Sequence, residues 1–192
     1  GGTIGSELCR QIVSLAPARI ALIDNGEHNL YAIDLELSET APDIPRIAHL
    51  ADVRDKARVQ AIFQAEKPEL IFHAAAFKHV PLVEENPTEG TLSNVLGTRI
   101  VADAAHEAGV RAMVLISTDK AVAPVSIMGA SKRVAELYCQ ALDLRGATRG
   151  GTRYAIVRFG NVLGSTGSVV PLFQRQLARG GPLTVTHPDA TR

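Results

Sequence analysis

Short apolar runs alternate with longer amphipathic stretches along the whole chain. Leu8, Ile12 and Leu15 fall at helical spacing after Gly5, and Pro17 ends that helix. Arg19-Ile20-Ala21-Leu22-Ile23-Asp24 is a short apolar run closing on a carboxylate, which predicts a buried strand. Leu30, Ile33 and Leu37 mark a second helix, and a weaker strand over Arg46 to Leu50 ends near Asp52. Val59, Ile62 and Phe63 mark a third helix, stopped before Pro68, and Leu70-Ile71-Phe72-His73-Ala74 is the next strand. A long helix is expected from about Thr88 to Ala108, with Leu92, Val95, Leu96 and Ile100 facing the core and Gly109 as its stop. Ala112-Met113-Val114-Leu115-Ile116-Ser117 carries the strongest strand pattern. Ala130, Val134, Leu137 and Ala141 give one face of a further helix, Tyr154 to Phe159 is another strand, and a last helix spans about Val169 to Arg179.

Strands alternating with helices imply βαβ crossovers, an α/β fold and a mostly parallel sheet. In such sheets a ligand sits beyond the carboxyl ends of the strands. The unusual residues gather there: Asp24, Asp52, His73 to Lys78, Ser117 to Lys120, and Gly160-Asn161.

Composition narrows the class. The chain has 192 residues, 46% of them hydrophobic and 21% charged, with 20 Lys plus Arg balancing 20 Asp plus Glu. A neutral balance argues against a nucleic-acid surface built on bulk charge, and no apolar run reaches the roughly 18 residues of a membrane span. Cys9 and Cys139 show no metal-ligand or CxxC pattern and read as reduced thiols of a cytoplasmic protein. His28, His49 and His106 also lack ligand spacing and are expected at the surface, so no metal site is expected.

Gly2 and Gly5, with Ile4 between them, have the spacing of the last two glycines of a GxxGxxG phosphate loop. There, backbone approaches a pyrophosphate and a helix N-terminus offers unpaired N–H groups. Asp24, 19 residues after Gly5 at a strand end, suits the ribose hydroxyls of NAD and disfavours the extra phosphate of NADP. The other role open to Asp24 is to cap the second helix; loop and acid together favour binding. Asp52-Val53 reads as a partner for an adenine ring or as a helix N-cap. The neighbouring Asn25, Gly26 and His28 leave NAD and NADP both open.

Ser117-Thr118-Asp119-Lys120 follows the strongest strand, and Met128 and Lys132 share one helix face four residues apart. Ser/Thr followed by Y-x-x-x-K is the pattern of the short-chain dehydrogenase/reductase superfamily. In that pattern Tyr handles an alcohol proton while carbon gives hydride to nicotinamide, and Lys holds the ribose. Met128 stands at the Tyr position, and a thioether is not a base. That leaves either a dead reductase or a subfamily with its proton handling elsewhere.

The segments HAAAFKHVPLVE (73–84), NVLGT (94–98), ISTDKAV (116–122), MGASKR (128–133), RFGNVLGS (158–165) and GGPLTVTHP (180–188) together resemble the CapD-type polysaccharide-biosynthesis family. These are nucleotide-sugar 4,6-dehydratases of the extended short-chain dehydrogenase superfamily, in whose longer members Met commonly replaces the Tyr. The resemblance covers essentially the whole chain. It implies a Rossmann-like doubly wound parallel sheet, tightly bound NAD or NADP, and a UDP-N-acetylglucosamine-like substrate. In the reaction it implies, carbon 4 is oxidised, the proton on carbon 5 is removed, the 6-hydroxyl leaves as water, and hydride returns to carbon 6.

On this resemblance Asp119 protonates the departing hydroxyl and Lys120 takes the carbon 5 proton. A partly dry cleft raises the pKa of such an acid and lowers that of such a base, while their mutual ion pair opposes both shifts. Thr118 is the candidate for the 4-hydroxyl proton in place of Met128, and Lys132 for the nicotinamide ribose. Ala74, Ala75, Ala76, Lys78, Asn94 and Ser117 join the cofactor side, Asn94 as a brace bonded within its own helix. Lys78 and His79 are pocket residues or a solvated loop. Arg158, Asn161, Ser168 and Val169 lie where family members contact the nicotinamide side or the nucleotide-sugar phosphates.

Both ends look cut, since the chain starts at Gly1 without initiator Met or leader. The expectation is one partial NAD(P)-binding domain over 1–192, with a catalytic segment 117–132 and a substrate region beginning at 158–192. The first strand and the C-terminal substrate lobe would be missing. A missing central strand leaves unpaired backbone inside the fold, so the 192-residue stretch alone is expected to be unstable and inactive. The full protein is expected to be a homo-oligomer, cytoplasmic or on the cytoplasmic face of the inner membrane, with an upstream membrane anchor left open. A UDP-sugar 4-epimerase and a non-catalytic nucleotide-binding module are the competing readings.

Overall fold

Residues alternate in and out along β4 (Ala112–Thr118), where Met113, Leu115 and Ser117 are buried. The other strands of this computed structural model are β1 (Ile20–Asp24), β2 (Arg46–Leu50), β3 (Leu70–His73) and β5 (Arg153–Phe159). Among the described residues every ladder is parallel: β1 pairs with β2, and β3, β4 and β5 pair in that order. The helices between them are α1 (Thr3–Val13), α2 (Glu27–Thr40), α3 (Lys56–Glu66), α4 (Val80–Glu85), α5 (Pro87–Thr91), α6 (Thr98–Glu107) and α7 (Ile127–Ala147). The structure describes residues 1–147, 150–162 and 169–184, in two compact units, Gly1–Gly160 and Asn161–Arg192. The α/β class expected from the alternation is the class observed, in the Rossmann-like form that the resemblance implies.

Two apolar clusters hold the first unit. Leu22, Leu30, Ile33 and Leu37 pack with Cys9, Val13 and Ile20, joining α1 and α2 to β1. Val59, Ile62, Phe63, Val101, Val110, Met113, Leu115 and Cys139 lie in the larger cluster under β3, β4 and β5. Burying each such side chain contributes about 1.5–3 kcal/mol. In the second unit, α8 (Val169–Ala178) carries Gln176, whose amide grips Thr184 by two hydrogen bonds of 2.6 and 3.1 Å.

Three differences from the sequence pattern matter. The helix expected over 88–108 is α5, a π-helical segment Leu92–Gly97, then α6. The wider π turn brings Ser93, Asn94 and Gly97 to the inside, where an α-helical wheel put Leu92, Val95 and Leu96. Helix α4 is only six residues long, too short for periodicity to signal. On α7 the apolar face at Val134 and Leu137 is about half exposed (49% and 48%), whereas Lys132 and Glu136 are buried (4% and 0%). The helix turns a polar stripe inward, where Lys132 and Glu136 are hydrogen-bonded to β4 and β5.

Candidate active site

Parallel pairing brings the strand ends to one side, with Ser117 opposite Arg158 and Thr118 opposite Phe159. Just beyond β4 the chain makes a 3-10 turn, Asp119–Ala121, capped by Thr118, whose Oγ1 accepts from the Lys120 N–H at 3.3 Å. The same hydroxyl donates to Asp119 Oδ1 at 2.9 Å, and Lys120 Nζ donates to that oxygen at 3.0 Å. The Lys120 hydrogen bond holds the Asp119 carboxyl below the usual carboxylate range, reinforced by Thr118. An acid, a base and a hydroxyl thus meet on one oxygen, half exposed to solvent.

Helix α7 starts against this turn. Ser126 Oγ accepts from the Gly129 N–H at 3.1 Å, and Glu84 Oε1 accepts from the Ile127 N–H at 2.7 Å, so side chains take up two N–H groups of its first turn. Met128 is buried, and Lys132 Nζ donates to the Ile116 carbonyl at 2.8 Å. Burial pushes the Lys132 ammonium down to about 8, with Cys139 and Glu136 pulling it back up. His73, at the end of β3, is pushed down to about 3 by burial and by the Lys132 charge. Its Nε2 lies 3.0 Å from Thr98 Oγ1, which itself donates to the Asn94 carbonyl at 2.8 Å. The hydroxyl proton is therefore committed, and the neutral imidazole carries its proton on Nε2.

Glu136 was not singled out by the sequence. Its carboxylate accepts from Ser117 Oγ at 2.6 Å, from Arg158 Nε and Nη2 at 2.8 and 2.6 Å, and from Arg133 Nη1 at 3.0 Å. Burial pushes its pKa up, and the bonds from Arg158, Ser117 and Arg133 outweigh that and hold it at about 2. Arg158 and Ser117, expected to face substrate and cofactor, both spend hydrogen bonds on Glu136. Asn94, expected to bond within its own helix, bonds across elements instead. Its amide donates to Phe77 O and Ser131 Oγ, both at 3.0 Å, and accepts from the Phe77 N–H at 2.8 Å.

Of the residues expected on the cofactor side, Gly2, Ile4, Gly5, Asp24, Asp52 and Val53 lie around β1 and β2. Gly2 stands as N-cap of α1, ahead of Ile4 and Gly5 in its first turns. The Gly1 nitrogen and the Gly26 N–H both donate to the Asp24 carboxylate at 2.7 Å, so the glycine segment lies beside the end of β1. Asp24 does not cap α2, whose N-cap is Gly26. Nor does Asp52 cap α3, a role taken by Asp55 accepting from the Arg58 N–H. Asp52 is clamped by Arg54, whose hydrogen bonds hold it at about 2. An open hollow of about 450 Å³ at these strand ends is lined by Asn25, Leu50, Ala51, Asp52, Asp55 and Arg58. Val53 fixes the neighbouring segment, since a Cβ on Gly97 would lie 2.8 Å from Val53 Cγ2. A glycine segment at a helix N-terminus, a carboxylate at the strand end, a hollow beside it and a buried lysine at β4 fit a dinucleotide.

Ala74, Ala75 and Ala76 run out from β3 toward exposed Lys78 and His79, which starts α4 as its N-cap. Asn161 is exposed and belongs to the second unit, Val169 begins α8, and Ser168 lies outside the described residues. His49, expected at the surface, is partly buried and bonded to Glu66 at 3.1 Å. Among the described residues no cluster of metal-binding side chains occurs, and no helix is long and apolar enough to cross a membrane.

The chain belongs to the family described as polysaccharide biosynthesis protein, which matches residues 1–192. It is 49% identical to the capsular polysaccharide biosynthesis protein CapD of Staphylococcus aureus, over all of this chain and 32% of that one. The chain thus spans about a third of that relative's length. It is 41% identical to a UDP-N-acetylglucosamine 4,6-dehydratase (inverting) of Campylobacter jejuni, over 74% of this chain and 42% of that one. A UDP-glucose 4-epimerase of Rickettsia rickettsii is 40% identical over 75% of this chain and 41% of its own. The crystal structure of DesIV, a dTDP-glucose 4,6-dehydratase of Streptomyces venezuelae with NAD bound, superposes with a TM-score of 0.76 at 25% identity, covering 95% of this chain and 61% of that one.

Proposed function

We propose that the full-length protein is an NAD(P)-dependent dehydratase converting a UDP-N-acetylhexosamine to a UDP-4-keto-6-deoxy sugar. The observation that carries this reading is the Asp119–Lys120 pair at the end of β4, hydrogen-bonded at 3.0 Å. A bound nicotinamide would supply the reversible two-electron redox chemistry, oxidation at carbon 4 and reduction at carbon 6. Lys132 holds the ribose nearest the nicotinamide, Asp24 the adenosine ribose, and the Gly2–Gly5 backbone the pyrophosphate. Thr118 relays the 4-hydroxyl proton, and buried Met128 fills the Tyr position without handling protons.

In its resting state the pair is ionised, which suits neither task. One proton shift along the hydrogen bond, from Lys120 Nζ to Asp119 Oδ1, creates a neutral acid and a neutral amine together. A seated sugar drives that shift by excluding water, because a dry site disfavours both charges. Lys120 then takes the carbon 5 proton and Asp119 gives its proton to the 6-hydroxyl, so that one water leaves and the pair is ionised again. As carbon 6 is reduced, Lys120 returns a proton to carbon 5, and the one it then regains from solvent matches the 4-hydroxyl proton that Thr118 passed to solvent.

The likeness to a UDP-glucose 4-epimerase supports a second reading, in which the sugar is oxidised and reduced at carbon 4 only. Incubating the full-length protein with UDP-N-acetylglucosamine separates the two. A product lighter by one water supports dehydration, and an isomer of unchanged mass supports epimerisation.

A further inference from the structure

We propose that Glu136 is the positioning residue of this site: a single carboxylate, shut off from solvent, holds the end of β4 through Ser117 and supplies the counter-charge for Lys132. The inference rests on the dehydratase reading and deepens it. Each carboxylate oxygen takes two bonds, Oε1 from Ser117 and Arg158 Nε, Oε2 from Arg158 Nη2 and Arg133 Nη1. Both arginines reach solvent, with side chains 35% exposed, whereas the carboxylate they hold does not. The bond to Ser117 points the other way, into the fold. Ser117 precedes Thr118, whose hydroxyl bonds Asp119, so Glu136 is one residue removed from the acid–base turn.

Glu136 also sits four residues from Lys132, on the same buried face of α7. The groups that act on Lys132 are His73 from β3 and Cys139 and Glu136 from α7. His73 is neutral, and burial pushes the Cys139 thiol up to about 11, so at neutral pH the anion among them is Glu136. With Lys132 titrating near neutrality, its charge depends on that partner.

The test uses three variants of the full-length protein, the titration midpoint of Lys132 read by side-chain NMR, and turnover of UDP-N-acetylglucosamine. Glu136→Gln moves the midpoint to lower pH and lowers kcat about tenfold, with KM changing less. Glu136→Asp keeps the charge and restores the wild-type midpoint. Ser117→Ala leaves Glu136 bound to both arginines, so the midpoint holds while kcat falls. A wild-type midpoint in Glu136→Gln, or wild-type kcat in Ser117→Ala, overturns the assignment. If Glu136→Gln does not fold, the other two decide it: wild-type kcat in both overturns it, and reduced kcat with an unmoved midpoint supports it. If the wild-type protein expels no water from the sugar, the dehydratase reading has failed, and the Lys132 midpoint still tests the charge of Glu136.

Discussion

Gly129 stands so close to the carbonyl oxygen of Lys120 that a Cβ at position 129 would lie well inside van der Waals contact with it. The obstacle is backbone, which cannot swing aside as a flexible side chain does. The start of α7 and the acid–base turn therefore touch only because position 129 is glycine. Gly129→Ala is expected to push the turn away and lower kcat by about a hundredfold, since a displacement near 1 Å costs that much. The folded protein should lose no more than about 1–3 kcal/mol. Wild-type turnover with unchanged stability would contradict the close packing of these two elements.

Asn94 completes three hydrogen bonds that tie the loop after β3 to α7. Asn94→Ala leaves the Phe77 N–H and carbonyl without that partner, a loss of about 1–3 kcal/mol. Thermal unfolding reads the stability, and NAD(P) titration reads the loop; both should weaken. Unchanged cofactor affinity in a destabilised variant would confine Asn94 to a scaffold role.

His73 makes stability depend on mild acid. Its folded pKa is about 3, against an ordinary value of about 6.5, so the unfolded chain binds more protons between those values. Stability therefore falls as pH drops below about 6.5, by up to ~1.4 kcal/mol per pH unit from this group. Asp52 and Glu136, both held at about 2, add their own loss only below about 4.5, where unfolded carboxylates begin to protonate. Between pH 6.5 and 5 the slope belongs to His73, and His73→Asn should flatten it in thermal melts. The same slope in the variant counts against a neutral buried imidazole.

Much of this was legible beforehand. The alternation of strand and helix, the carboxylate closing β1 and the S-T-D-K turn behind the strongest strand all follow from periodicity and position, because each is a local pattern. Glu136 was not legible: a glutamate four residues after a lysine on a helix reads as a solvated pair until the fold buries both. The pattern of α7 misleads for the same reason. Apolar Val134 and Leu137 advertise a core face, while the polar stripe through Lys132 and Glu136 is buried by hydrogen bonds from β4 and β5, which only tertiary structure supplies. The inward turn of Asn94 depends on a π-helical segment, and no spacing rule signals one.

Met128 is buried at the position where a proton-handling tyrosine would stand. If it only fills space, Met128→Leu, a near-isosteric change, should keep kcat within about threefold. Met128→Tyr should bring no gain, since the ring would be forced into a filled site. A large increase in turnover on restoring Tyr would show that proton handling at carbon 4 had been limiting and that Thr118 does not perform it.

Central to the proposed reaction is that Asp119 and Lys120 act together as acid and base on a nucleotide sugar. The most direct measurement is turnover of UDP-N-acetylglucosamine by the full-length protein in heavy water, with the product read by mass spectrometry and NMR beside a Lys120→Met variant. The expected product has lost one water and carries one solvent deuterium at carbon 5, and the variant forms none. A nucleotide sugar of unchanged mass without deuterium at carbon 5, or a Lys120→Met protein that eliminates water at the wild-type rate, would contradict the central claim.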